Sequence, residues 1–355
     1  MSNNKPDNTN KEQYQRRERY KGNYPKNYKE KYKELNPDKY SDTIEHVIHK
    51  GSTPAGMHIS IMVNEILDIL QIKPGQQGLD ATLGYGGHTS KMLECLESSG
   101  HMYAMDIDSI EIDKTKRRLA NKGFGADILT VKQMNFKDID LLSNEVGKFD
   151  FVMADLGVSS MQIDNPERGF SYKKNGPLDL RLDPSHGISA AERLKDVSKD
   201  EFKGMLIDNS DEPYAANISE AVIKKMKGGE KIETTKALRD IIEEALKFLP
   251  AKERDEAVKK SCQRTFQALR IDINSEYEVL YDFLEKLPNA LNSGGRVAIL
   301  TFHSGEDRLV KKSFKRLYKE GIYSSIAEEV TRPNSEECSI NSRARSTKMR
   351  WAIKA

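Results

Sequence analysis

The chain is short of the residues that mark special environments. Only three of its 355 residues are cysteine, Cys95, Cys262 and Cys338, and they lie far apart. No CxxC pair and no Cys/His ligand spacing occurs, so no metal site is expected. That cysteine usage fits a reducing cytoplasm best. No run of about 18 apolar residues exists, so no membrane span is expected. The opening stretch MSNNKPDNTNKEQYQRRERY has no apolar segment and does not read as a secretory signal. The net charge is only +2, too small to announce a nucleic-acid partner, so the distribution of charge matters more than its total. Hydrophobic residues make up 37% and charged residues 32%, a soluble profile. The length suggests about two domains and leaves room for a sizeable core.

Residues 1–50 stand apart. Leu35 is the one Val, Ile or Leu before Ile44, and residues 1–40 carry 11 Lys/Arg against 6 Asp/Glu. Such a segment cannot bury enough apolar area to offset its ordering entropy, and a disordered tail is expected. Tyr20, Tyr24, Tyr28 and Tyr32 recur among the lysines. Basic residues interleaved with aromatics could also hold RNA by phosphate contact and base stacking.

From His58 the pattern becomes globular. SIMVNEILDIL has helical apolar spacing. QGLDATL, GHMYAMDID, DILTVKQMNF and FDFVMADLG read as strands, and HTSKMLECLE and SIEIDKTKRRLA as helices. Strands alternating with helices at this spacing predict an α/β fold with a parallel sheet covered on both faces. The alternation stops after Asp164. Residues 165–262 are polar and helical in character, with SAAERLKDV, NISEAVIKKMKG and TTKALRDIIEEALKFL as helices. A long helix in SEYEVLYDFLEKLPNAL, a buried strand in GRVAILTFH and a closing strand in KMRWAIKA follow. The simplest organisation is an α/β domain of residues 51–164 and 263–355 that carries an inserted helical domain, 165–262.

Two constellations carry chemistry. In LDATLGYGGHTSKML, Gly84, Gly86 and Gly87 lie between the first strand and its helix, where glycine permits close backbone approach to a ligand. The third glycine of the dinucleotide fingerprint is missing. The second strand ends in Asp106, 22 residues beyond Gly84, a distance at which an acid can accept hydrogen bonds from ribose hydroxyls. Loop and acid point to an adenosine-type cofactor, without separating a nicotinamide from S-adenosylmethionine. Asp80, inside the strand, needs a buried partner or a cationic ligand, which favours S-adenosylmethionine. His88 opens the following helix. The second constellation is FVMADLGVSSMQIDNPERGFS. Asp155 falls at the carboxyl end of the fourth strand, where ligands of open α/β sheets bind. An acceptor there could localise the conjugated lone pair of an exocyclic base amine toward a methyl donor.

These residues resemble the RsmH (MraW) family of 16S ribosomal RNA cytosine-N4 methyltransferases. The motifs are DATLGYGGHT (80–89), DLGVSSMQID (155–164), ERGFS (167–171), GPLDLRLD (176–183), RTFQALRI (264–271), FHSGEDRLVK (302–311) and RARS (343–346). The resemblance spans about His58 to Lys354. It implies a class I, Rossmann-like S-adenosyl-L-methionine-dependent methyltransferase with an inserted helical domain for substrate recognition. It implies methylation of a cytidine in the decoding centre of the small ribosomal subunit, with 16S rRNA as partner; the oligomeric state, monomer or homodimer, stays open. Family cofactor contacts fall on Gly86, Gly87, His88, Asp106, Phe136, Asp155 and Gln162, with Asp155 also the catalytic candidate. Arg168, Arg181, Arg270, Arg343 and Arg345 are candidates for phosphate or base contacts, and His303 lies near the expected entry of the target base. The sequence departs from the family at Ser60 and Ser342, where proline is usual, and at Gly305, where leucine is usual. It also lacks the usual His-Pro pair before RTFQALRI and adds the basic tail. The alternatives are a paralogue acting on a different RNA and a ribosome-assembly factor without catalysis.

Overall fold

The structure is a computed structural model, and it describes residues 60–355. The expectations for the tail therefore lie outside the described residues. In chain order the elements are α1 (Val63–Leu70), β1 (Gln77–Asp80), α2 (Gly87–Cys95), β2 (His101–Asp106), α3 (Ser109–Asn121), β3 (Leu129–Gln133), α4 (Ile139–Val146), β4 (Phe149–Asp155) and α5 (Ser160–Asp164). Then come five helices without a strand: α6 (Ala190–Asp196), α7 (Lys199–Ser210), α8 (Ala215–Lys227), α9 (Thr235–Ala245) and α10 (Ala251–Asn274). The chain closes through α11 (Glu276–Ala290), β5 (Leu291–Thr301), α12 (Ser304–Lys319), β6 (Tyr323–Ile326), α13 (Ser335–Ile340) and β7 (Lys348–Lys354).

The seven strands form one sheet in the order β3-β2-β1-β4-β5-β7-β6. The first five run parallel, and β7 is antiparallel to both β5 and β6. This is the class I methyltransferase sheet that the resemblance implies. Its order reverses between β1 and β4, which opens a crevice at the carboxyl ends of those strands.

The strands are apolar because both faces are covered, as parallel sheets require. Alternate residues serve opposite cores. Val152, Ala154, Val297 and Ile299 pack under Phe283 and Leu287 of α11 and Phe314 of α12. Phe151, Met153, Ala298 and Leu300 pack under Ile66 of α1, Met92 of α2 and Ile112 of α3. Gly78 is glycine because β1 passes directly over a ring: a Cβ there would lie 2.0 Å from Phe151 Cζ.

The five strandless helices have a core of their own, built on Phe202, Leu206, Ile218, Leu238 and Ile242. Local sequence sets their starts. Ser189 with Glu192, and Ser198 with Glu201, form reciprocal capping boxes at α6 and α7. The break expected at 262/263 falls inside α10. That helix continues unbroken for 24 residues, and Cys262, Phe266, Ala268 and Leu269 all remain in the helical core. RTFQALRI is therefore helical-layer sequence, and its Arg270 pairs with Glu276 at the start of α11.

Candidate functional site

A cleft of about 670 Å³ opens at the carboxyl ends of β1, β2, β4 and β5 and extends under α10. Its floor is fixed by a short network. Asp80 is 1% exposed. Its Oδ2 accepts from Thr89 Oγ1 at 2.6 Å and its Oδ1 from the Thr82 amide at 3.0 Å. The buried partners expected for Asp80 are thus hydroxyl and amide, and burial still pushes its carboxyl up. Thr82 in turn accepts from the Asp155 amide at 2.6 Å, tying the ends of β1 and β4 together.

The glycine loop is held by the acid that ends β2. Gly84 N–H donates to Asp106 Oδ2 at 2.8 Å, and Asp108 N–H donates to Oδ1 at 2.9 Å. Desolvation outweighs these bonds and pushes the Asp106 carboxyl up to about 6. Gly84 and Gly86 both have positive φ, +46° and +70°. Gly86 does not line the cleft. A Cβ on it would meet Thr115 Cγ2 at 2.8 Å, so this glycine allows loop and α3 to touch. Gly87 and His88 do line the cleft, with Phe136, whose ring lies edge-on to Phe283 at 5.2 Å.

Asp155 is the focus. Its Oδ1 is shielded from solvent and has no hydrogen-bond partner. Oδ2 lies 3.7 Å from His88 Nδ1. Desolvation pushes this carboxyl up to about 6; His88 opposes the rise, while Asp80 and Glu306 add to it. Glu111, in the first turn of α3, also lines the cleft and has one buried, unpartnered carboxylate oxygen.

Asp108 is a pivot that sequence reading missed. It caps α3 by accepting from Ile110 N–H at 3.1 Å, and its Oδ2 receives both Gln162 Nε2 (2.8 Å) and Arg168 Nη1 (2.7 Å). Gln162 is also the closing residue of the capping box at α5, so its amide is oriented from both ends. Asp-x-Asp-Ser at a strand-to-helix turn carried the signal for the cap. The partners, 54 and 60 residues away, left no sequence trace.

The arginine candidates separate. Arg168 is 7% exposed, and its Nη2 donates to the carbonyls of Arg181 and Leu182. Its guanidinium is spent inside the protein and offers nothing to a phosphate. Arg181 is forked onto Asp179 at 2.7 and 3.0 Å, outside the cleft. Arg270 lines the cleft, paired to Glu276 at 2.7 and 2.9 Å. Arg343 lines it beside Asp164, with one guanidinium nitrogen buried and unpartnered. Arg345 is exposed and outside it.

His303, just before α12, also lines the cleft. Its Nε2 is 3.2 Å from Glu306 Oε1, off hydrogen-bond direction, and neither ring nitrogen has a hydrogen-bond partner. Burial pushes the Glu306 carboxyl up, but His303, Arg270 and the Phe302 amide together outweigh it and hold it below its ordinary range. Glu276, His303 and Glu306 place possible ligand atoms within 4.8 Å of one another. Both Glu276 oxygens are already committed to Arg270.

Such a cleft suits an adenosine cofactor with a cationic end. Leu83, Met134 and Phe136 supply apolar wall, and Asp106, Glu111 and Asp155 supply acceptors. Among the described residues no helix is long and apolar enough to cross a membrane.

The chain matches the MraW methylase family over residues 55–355. It is 68% identical to the ribosomal RNA small subunit methyltransferase H 1 of Lachnoclostridium phytofermentans, covering 96% of this chain and 93% of that protein. It is 64% identical to the protein of the same name from Agathobacter rectalis, covering 97% and 98%. The ribosomal RNA small subunit methyltransferase H of Clostridium botulinum is 36% identical, covering 82% of this chain and 97% of its own. The first two alignments reach into residues 1–50, so the basic extension has counterparts in those relatives. With this match across all of the described residues, the chain belongs to the MraW methylase family.

Proposed function

We propose that the protein transfers a methyl group from S-adenosylmethionine to N4 of a cytidine in 16S rRNA, within the small ribosomal subunit. The single observation that carries this reading is Asp155, a carboxylate at the cleft floor with one oxygen shielded and unpartnered. The relatives' names, which specify ribosomal RNA of the small subunit, support the substrate class.

S-adenosylmethionine supplies a methyl group on a cationic sulfur. Every other part belongs to the protein. Gly87 and His88 would border the cofactor, Asp106 would accept from its ribose, and Phe136 would flank its adenine. Gln162, fixed by Asp108 and Ser159, would hold the rim. The target base must leave any stack it occupies, at a cost of a few kcal/mol. Its exocyclic amine is a poor nucleophile because the lone pair is conjugated into the ring. The Asp155 carboxylate, its side chain 30% exposed at the cleft floor, accepts a hydrogen bond from that amine and thereby localises the lone pair. His303, Arg270 and Arg343 line the side from which the base and its phosphates would enter, and exposed Arg345 would meet the flanking strand.

The test is direct. The protein is incubated with methyl-labelled S-adenosylmethionine and small subunits from cells lacking the gene, and the RNA is digested to nucleosides for mass spectrometry. Label in N4-methylcytidine is expected. Label in another nucleoside, or none with the cofactor bound, would remove this reading.

A further inference from the structure

Gly305 stands in the first turn of α12, and helical backbone there would accept any residue. Space, however, is lacking. A Cβ at 305 would lie 1.9 Å from Tyr277 Oη, 2.6 Å from Cζ and 3.0 Å from Cε1. Three atoms of a rigid ring cannot all step aside without the ring leaving its seat.

That ring joins three parts of the molecule. Tyr277 is the second residue of α11. Its hydroxyl donates to the Asn209 carbonyl of α7 at 3.3 Å, and Gln267 Nε2 of α10 donates to the same oxygen at 3.2 Å. Its ring is tilted beside the His303 imidazole, with centroids 6.0 Å apart and planes at 51°. Tyr277 does not line the cleft, but Glu276 and His303 on either side of it do. His303 has no hydrogen bond to fix its ring. What holds it is Glu306 on one side and Tyr277 on the other.

We propose that Tyr277 is a positioning residue: seated in the space that Gly305 leaves open and anchored on the Asn209 carbonyl, it fixes the His303 imidazole in the substrate wall of the cleft. The absent side chain at 305 is what admits it. The helical layer, through Asn209 and Gln267, is thereby coupled to the wall where the base would enter. This rests on the cleft being the site of methyl transfer.

The test is a pair of double-mutant cycles, read by thermal melting, S-adenosylmethionine affinity, and kcat/KM on small subunits. Gly305→Ala should lower the melting temperature and cost about tenfold or more in kcat/KM, through misplacement of His303. Cofactor affinity should hold within about twofold, because Tyr277 lies outside the cofactor wall. In a Tyr277→Ala background Gly305→Ala should cost nothing further, since the methyl then has room. Tyr277→Phe, which keeps the ring, should restore most of what Tyr277→Ala loses. In a His303→Gln background Tyr277→Ala should add no further loss in kcat/KM. Additive effects in either cycle, or a Tyr277→Ala variant with unchanged kcat/KM, would overturn the proposal. The melting cycle needs no substrate. A wild-type protein that left RNA unmethylated would therefore sink the proposed function separately from the Tyr277–Gly305 interlock.

Discussion

His88 Nδ1 lies 3.7 Å from Asp155 Oδ2 while the opposite ring nitrogen, Nε2, lies 2.9 Å from the Ile61 carbonyl. A carbonyl only accepts, so Nε2 is the protonated nitrogen. The Nδ1 edge then attracts the carboxylate only when one of the two groups carries an additional proton. Asp155 is thus held in place by its own backbone bond to Thr82 and by packing.

Asp155→Asn keeps the shape and removes the charge. Methyl transfer should fall by about 100-fold or more, in the range typical of a lost proton acceptor, and Asp155→Ala should abolish it. The wild-type pH profile should carry an acid limb. Burial holds the carboxyl near 6, so the ionised form predominates above that pH and is lost below it. The kcat/KM–pH curve, which reports groups of the free protein, should drop through about pH 6, and the asparagine variant should lose that limb. Near-normal turnover in the alanine variant would strip Asp155 of its chemical role, and near-normal turnover in the asparagine variant would mean that an acceptor oxygen suffices without the charge.

Arg168→Ala should behave as a stability mutation. It leaves Asp108, 1% exposed, as a buried carboxylate without its cation. Breaking such a pair costs about 3–5 kcal/mol. Chemical denaturation should register a loss of this order. The salt dependence of RNA binding should not change, because no phosphate contact is removed. Arg345→Ala is the contrast: it should leave stability unaltered and lower the slope of log affinity against log salt by about 0.7, as expected for one contact to a single strand. A shallower slope for the Arg168 variant would instead place its guanidinium on RNA.

Gly86→Ala tests the seam between loop and helix. The added carbon meets Thr115 and Leu119, and the backbone keeps φ at +70°. A non-glycine residue in that region costs about 1–2 kcal/mol before any clash. Melting temperature and cofactor affinity should fall together. A loss of affinity without a loss of stability would mean that Gly86 meets the cofactor directly.

The sheet was legible in the sequence because buried parallel strands are near-continuous apolar runs, as in FVMAD and RVAIL. β6 was not, because only Tyr323 of its four residues is buried. α7 escaped notice because KDEFKGMLIDNS buries only Phe202, Met205 and Leu206 amid charge. The floor of the site was legible for a related reason: Asp80, Asp106 and Asp155 are acids where a strand should be apolar. Which arginines remain available was not legible. Arg168 and Arg270 look alike in their motifs, and only folding sets one against Asp108 and the other at the cleft wall beside Glu276. The role of Tyr277 was equally hidden, since it depends on a space 28 residues further along, at Gly305.

The two raised carboxyls make a last prediction about protons. Asp106 and Asp155 both titrate near 6 in the free protein, against an ordinary value of 3.8. Between those limits the folded chain holds protons that the unfolded chain has released. These two groups therefore add stability as pH falls from about 6 and weaken the fold above it, opposite to a salt-bridged acid. A bound cofactor that gives hydroxyl hydrogens to Asp106 and a positive charge to the region of Asp155 favours both ionised forms. Binding near pH 6 should therefore release protons, and binding at pH 8 should release none. Calorimetric titration of S-adenosylmethionine in buffers of different ionisation enthalpy measures this directly. Asp106→Asn and Asp155→Asn should each remove part of the release. Heats independent of buffer at pH 6 would mean that neither carboxylate meets the cofactor, and the cofactor would have to lie elsewhere in the cleft.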